Sequence, residues 1–143
     1  MQQRTRRSAR PLERMLSHLL GWWRRKREER ANAVMFERAV IVKIDDSGIS
    51  ASYPKGDFQS ITWPEVDRVM IETNDSGPWG ADVWWIVNGS GKTCSYPGGA
   101  TGEQEALAEF PKRFPGFNNE QVIRAMGSTS NAQFVCWQRV HAL

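Results

Sequence analysis

Apolar positions along this chain follow three rhythms, and each predicts a different kind of element. In residues 11–32, Leu12, Met15, Leu16, Leu19, Leu20 and Trp23 recur every three or four positions, a spacing that lines one face of a helix. Ser8 or Pro11 supplies the start signal, and Gly21 weakens the middle by up to about 1 kcal/mol relative to Ala. Residues 24–30 continue as a charged segment in which Arg25 and Glu29 stand four apart, close enough to pair. The pattern predicts an amphipathic helix over 11–32, outside or loosely docked on the main domain.

From residue 34 the rhythm shortens to runs rich in β-branched and aromatic residues, each closed by Gly, Pro, Asn or Asp. Strands are expected at 34–44, 49–53, 58–63, 69–73, 83–87 and 92–96. Pro64 closes the third strand, lacking an N–H for the ladder, and opens one helical turn over 64–67. A turn signal every 8–12 residues or so points to an antiparallel meander. After Pro97 the spacing becomes helical again. Thr101 and Gln104 fit a capping box, Ala106, Leu107 and Phe110 form a buried face, and Pro111 is placed to truncate or kink the helix. Asn118 or Asn119 caps a second helix over 120–126, with Val122, Ile123 and Met126 facing inward and Gly127 ending it. Residues 131–140 read equally as a last strand or a short helix. The expectation is an α+β domain in residues 33–143. It comprises a bent antiparallel sheet of six or seven strands and then two short helices. Residues 1–32 form a separate basic amphipathic arm.

Composition changes this picture in one respect. The 40% hydrophobic content, with seven Trp and six Phe, is enough for one core without disulfides or metals. Two cysteines without metal-ligand spacing suggest reduced thiols in a cytoplasmic protein. No run of about 18 apolar residues offers a membrane-spanning helix, and the apolar stretch around Leu19 lacks a small-residue cleavage site. The net charge of +3, however, is unevenly spread. Residues 1–30 hold ten Lys/Arg against three Asp/Glu, and the rest hold nine against thirteen. The arm is basic and the body mildly acidic. Residues 1–10, Arg-rich and almost without apolar side chains, are expected to lack stable structure.

The chemistry-bearing residues are few. Trp63, Trp79, Trp84 and Trp85 cluster within residues 61–87. Neighbours on a strand point to opposite faces, so Trp84 and Trp85 cannot enter the same core. One must be covered by the N-terminal helix, the C-terminal segment or a partner. Because Trp is enriched at interface hot spots, Trp79, Trp84 and Trp85 are the candidate partner-binding residues. Glu72, Asp75 and Asp82 match no calcium-loop spacing and read as solvated turn acids. The Gly-rich stretch 96–102 precedes a helix, but Gly102 and Glu103 stand where a phosphate-binding loop needs Lys and Ser/Thr. It reads as a strand-to-helix connection.

His18 and His141 lie near opposite ends, and Cys94 and Cys136 read as small buried hydrophobes. That leaves neither a nucleophile–base pair nor three zinc ligands. No enzyme activity, catalytic residue, metal or cofactor is expected. The arm allows two further readings. Trp22 and Trp23 beside Arg24, Arg25, Lys26 and Arg27 suit an anionic membrane surface, and the same cations suit nucleic-acid phosphates. The acidic body counts against a dedicated nucleic-acid-binding domain.

Ile61, Thr62, Trp63, Pro64, Glu65 and Val66, followed by Arg68, Val69, Met70 and Ile71, resemble the strand–turn–strand of bacterial pleckstrin-homology-like domains, with Trp and an acid in the turn. The resemblance spans about residues 33–110. It implies a bent antiparallel sheet and binding of peptides, proteins or lipid headgroups, not catalysis. The chain departs from the pattern in having two short helices and an apolar tail in place of one long helix. It also lacks the Lys/Arg cluster of lipid-headgroup sites. Segments such as Asp82–Trp85 and Cys136–Trp137 are also similar to small uncharacterised proteobacterial proteins. Together these features suggest a non-catalytic bacterial interaction module with a protein partner, as an adaptor or a toxin-neutralising immunity protein. The alternative is a peripheral membrane or nucleic-acid binder acting through the arm.

Overall fold

The computed structural model describes residues 11–75 and 83–140. Within the first helix it does not describe the side chains of Pro11, Leu12, Glu13, Met15, Trp22, Trp23, Lys26, Glu29, Arg30 and Ala33. The expected unstructured arm over 1–10, Trp79, Asp82 and His141 fall outside the described residues.

Helix α1 runs Pro11–Ala39, well past the predicted end near 32. The strand expected from Val34 is confined to β1, Ile41–Ile44. Ala33, Met35, Glu37, Arg38 and Ala39 are acceptable or good helix formers, and no Gly or Pro interrupts them. Two β-branched residues in this stretch, Val34 and Val40, were poor grounds for a strand. The end of α1 is tied to the body: Thr101 Oγ1 donates to the Arg38 carbonyl at 2.7 Å. The Phe36 and Tyr53 rings lie 6.5 Å apart.

The antiparallel meander is present, as β2 (Gly48–Ser52), β3 (Phe58–Thr62), β4 (Arg68–Thr73), β5 (Val83–Gly89) and β6 (Lys92–Pro97). A 3-10 turn, Trp63–Glu65, joins β3 to β4 where Pro64 predicted one. Residues 131–140 resolve as a strand, β7 (Ala132–Gln138), lying antiparallel along β4. The seven strands form two ladders instead of one bent sheet: β1-β2-β3 and β6-β5-β4-β7. The break falls between β3 and β6, where side chains replace the backbone ladder. Gln59 Oε1 accepts from the Ser95 amide at 2.7 Å, and the Tyr53 hydroxyl donates to the Ser95 carbonyl.

Helix α2 (Glu103–Arg113) does not use the predicted capping box; its cap is Gly102, at φ +95°. Thr101 is diverted to hold β1, its carbonyl accepting from the Val42 amide at 2.7 Å and its own amide donating to the Val40 carbonyl at 2.9 Å. Pro111 sits inside α2 without ending it. Helix α3 (Asn119–Met126) is capped by Asn118, whose Oδ1 accepts from the amides of Glu120 and Gln121. Its inward face is Val122 and Ala125. Ile123 and Met126, expected inside, are 71% and 50% exposed. Two turns of helix give room for only one i, i+3 pair on the buried stripe, and small Ala125 lets the backbone approach β7.

One core joins both sheets and both C-terminal helices. It contains Val42, Ile49 and Ile61 from the first ladder and Val69, Ile71, Trp85, Val87 and Tyr96 from the second. Ala106, Phe110, Val122 and Ala125 close it from the helices.

Candidate functional site

The two tryptophans of β5 separate as alternation requires. Trp85 is fully buried, its ring 6.3 Å from Tyr96 and 5.6 Å from Phe110. Strand register places it in an inner row, Phe134–Ile71–Trp85–Tyr96, beside a second inner row, Trp137–Val69–Val87–Cys94. Trp84 points the other way and is half-buried. It belongs to the outer face of the four-stranded sheet.

Three cross-strand rows make that outer face. The first is polar: Gln138, Arg68, Asn88 and Thr93. The second is mostly apolar: Val135, Met70, Ile86 and Ser95. The third is Gln133, Glu72, Trp84 and Pro97. Within the apolar band Met70 is covered by its neighbours, Ile86 is half-buried and Val135 is 41% exposed. Helices α2 and α3 pack on the opposite, inner face, while at the β6 edge the outer face is closed, with Pro97 fully buried and Ser95 Oγ donating to Gln59 Oε1 of β3 at 3.3 Å. A register slip between Val69 and Met70 leaves Cys136 as an additional residue on β7. The bulge lets Cys136 and Trp137 both meet the core while Val135 stays outside.

A groove of about 530 Å³ lies along the polar row, lined by Arg68, Asn88, Lys92, Thr93, Gln138 and Arg139 together with the Gly89–Ser90–Gly91 turn and Asp67. Two of its cations are engaged. Lys92 Nζ sits 2.9 Å from Glu65 Oε1. Arg139 donates to the carbonyls of Val66 and Pro64 at 2.8 and 3.1 Å, approaches Asp67 at 3.3 Å and stacks over Trp137. The Thr62 amide, and then Lys92, hold the Glu65 carboxyl below its ordinary range. Arg68 is half-buried, and its side chain makes no hydrogen bond or ion pair among the described residues.

Among the described residues, the groups that a catalytic reading would need are not brought together. His18 is exposed on α1. Burial raises the Cys94 thiol to about 12 and that of Cys136 to about 11. Among the described residues no three His, Cys, Asp or Glu side chains are grouped as metal ligands. Glu72 lies on the outer sheet face, and Asp75 follows β4, its amide donating to Asn131 Oδ1. In the Gly-rich connection, Glu103 Oε2 accepts from the Gly99 amide at 3.0 Å, so the chain's own carboxylate occupies the place of an anion. Burial raises the Glu103 carboxyl, against the pull of the Gly99 amide and the Trp85 indole.

Family models, curated proteins and solved structures were compared with this chain. None matches.

The arm candidates lie on α1. Arg24, Arg25 and Arg27 are exposed; Trp22, Trp23 and Lys26 belong to the helix, and their side chains are outside the described set. Leu16, Leu19 and Leu20 are 52%, 46% and 67% exposed. Residues 26, 27 and 30 fall seven positions after Leu19, Leu20 and Trp23, so the apolar stripe gives way to cations along the axis. No described helix is long and apolar enough to cross a membrane. Sequence reasoning missed Arg68, Asn88, Thr93 and Gln138. Their shared row depends on the register of four strands, which no local motif encodes.

Proposed function

We propose that this chain is a non-catalytic interaction module that binds a protein partner through the outer face of its four-stranded sheet. The observation that carries the proposal is the band of Trp84, Ile86 and Val135, with the covered Met70 between Ile86 and Val135. It faces away from the core with a Trp at its edge and a polar groove beside it. Protein interfaces combine such an aromatic–aliphatic centre with a polar rim. A pleckstrin-homology-like ancestry and a cytoplasmic setting that keeps both thiols reduced belong to the same proposal. Acting as an adaptor and neutralising a toxin are two forms that the binding would take.

The test uses tagged full-length chain as bait in extract of the organism carrying the gene. A specific protein should co-purify with the wild type and with Ser50→Asp, on the outer face of the other sheet, and be lost from Trp84→Ala and Ile86→Asp. Retention by both sheet-face variants would remove the proposal.

The exposed Leu16, Leu19 and Leu20 beside exposed cations favour one second reading, contact of α1 with an anionic membrane surface. Co-sedimentation with phosphatidylglycerol vesicles should then fall when the three leucines become serine. Deleting residues 1–32 would leave only residues 33–39 of α1 and is the poorer test.

A further inference from the structure

The polar row next to the apolar band specifies what the partner must carry. Gln138, Arg68, Asn88 and Thr93 stand abreast on four adjacent strands, and no hydrogen bond joins any of their side chains to another described residue. The two flanking cations are neutralised, Lys92 by Glu65 and Arg139 by Asp67. Among the described residues no counter-charge pairs with Arg68, which lines the groove beside neighbours that donate and accept hydrogen bonds. A guanidinium presents paired N–H groups that match a carboxylate in two-point geometry.

The next row along the same strands is Val135, Met70 and Ile86, two residues or about 7 Å away. We infer that the segment docking on this face bears a carboxylate seated on Arg68, with an apolar side chain about 7 Å from it lying on the half-buried Ile86. In an extended segment these would be residues i and i+2; in a helix, i and i+3 or i+4. The class is an acidic–apolar peptide segment of a protein. A nucleic-acid strand would bring a phosphate to Arg68, but it would bring repeated phosphates to a body with more acids than bases. This inference rests on the sheet face being the binding surface.

A random 12-residue peptide display library, selected on the full-length chain, separates the two claims. Selected peptides should pair Asp or Glu with a Leu, Ile, Phe or Trp at these spacings. Arg68→Gln should weaken them about ten- to a hundredfold, the range for losing one charge-assisted pair. Arg68→Glu should abolish binding of the acidic peptides and restore binding to copies whose acid is changed to Lys. A merely structural role for Arg68 would not give that reversal.

Peptides weakened by Trp84→Ala but indifferent to Arg68→Gln would overturn the carboxylate inference and leave the sheet-face reading standing. Peptides indifferent to both would overturn both. A single-stranded oligonucleotide that binds and is lost on Arg68→Gln would replace the carboxylate by a phosphate and overturn the assignment. Arg68 is on the outer face, so an unchanged thermal midpoint for each variant confirms that the fold is intact.

Discussion

Trp84 and Trp85 are adjacent in sequence, yet truncating them should have very different consequences for stability. Trp85 is fully buried between Tyr96 and Phe110. Replacing a core aromatic by Ala costs about 3–5 kcal/mol, and the loss of two ring pairs puts this site at the upper end. One term opposes it. Among the described residues the Trp85 indole N–H has no partner in bonding geometry, although it lies close enough to Glu103 to act on that carboxyl, and removing so weakly paired a buried donor returns up to about 1 kcal/mol. The net cost of Trp85→Ala is about 4 kcal/mol, a large part of the 5–15 kcal/mol typical of a domain. Trp84 keeps one side toward solvent, so Trp84→Ala should cost about 1–2 kcal/mol, the share of its transfer energy already realised. Urea denaturation followed by far-UV circular dichroism reads the difference. With a slope of about 2 kcal/mol/M, the midpoint should fall by about 2 M for Trp85→Ala and by less than 1 M for Trp84→Ala. Equal shifts would mean that Trp84 is as deeply packed as Trp85, and the outer sheet face would lose its standing as a surface.

Three more outcomes follow from the same geometry. A Cβ on Gly102 would collide with the Val42 carbonyl oxygen at a backbone φ of +95°, so Gly102→Ala adds left-handed strain of about 1–2 kcal/mol and breaks the Val42–Thr101 clamp. A thermal midpoint lowered by about 10 °C or more is expected, and a drop under about 2 °C would contradict it. Burial raises the Glu103 carboxyl above its ordinary 4.5, so the folded state holds that proton more tightly than the unfolded chain. Its contribution therefore favours folding below the unfolded value and is lost as pH rises through the raised folded value. Glu103→Gln should gain stability relative to wild type across that interval and match it at lower pH; a gap that does not change with pH would refute the assignment. With thiols near 12 and 11, Cys94 and Cys136 should resist Ellman's reagent at pH 8 in the native chain and react together in urea. Prompt labelling without denaturant would refute their burial.

The sequence made the strands legible because each is a short β-branched or aromatic run closed by a turn residue. Trp63–Pro64 marked its 3-10 turn, and Asn118 marked its cap. The alternation rule separated Trp84 from Trp85, although it could not say which faced inward, since that depends on what packs on each side. The stretch from Val34 to Val40 misled because β-branched residues at its ends outweighed helix formers between them. The Thr101 box failed for a tertiary reason: the hydroxyl and amide that would cap α2 are spent on Arg38 and Val40. Arg68 gave no signal at all. Its meaning comes from Asn88 on one side and Gln138 on the other, 20 and 70 residues away in the chain.

The central claim, that the outer face of the four-stranded sheet receives a protein partner, is tested most directly by photo-crosslinking in cells of the source organism. A benzophenone amino acid placed at Ile86 should yield one discrete heavier adduct on irradiation, absent when the probe is at Ser50 and lost when Trp84→Ala is added. An adduct formed equally from Ser50, or unaffected by Trp84→Ala, would contradict the account.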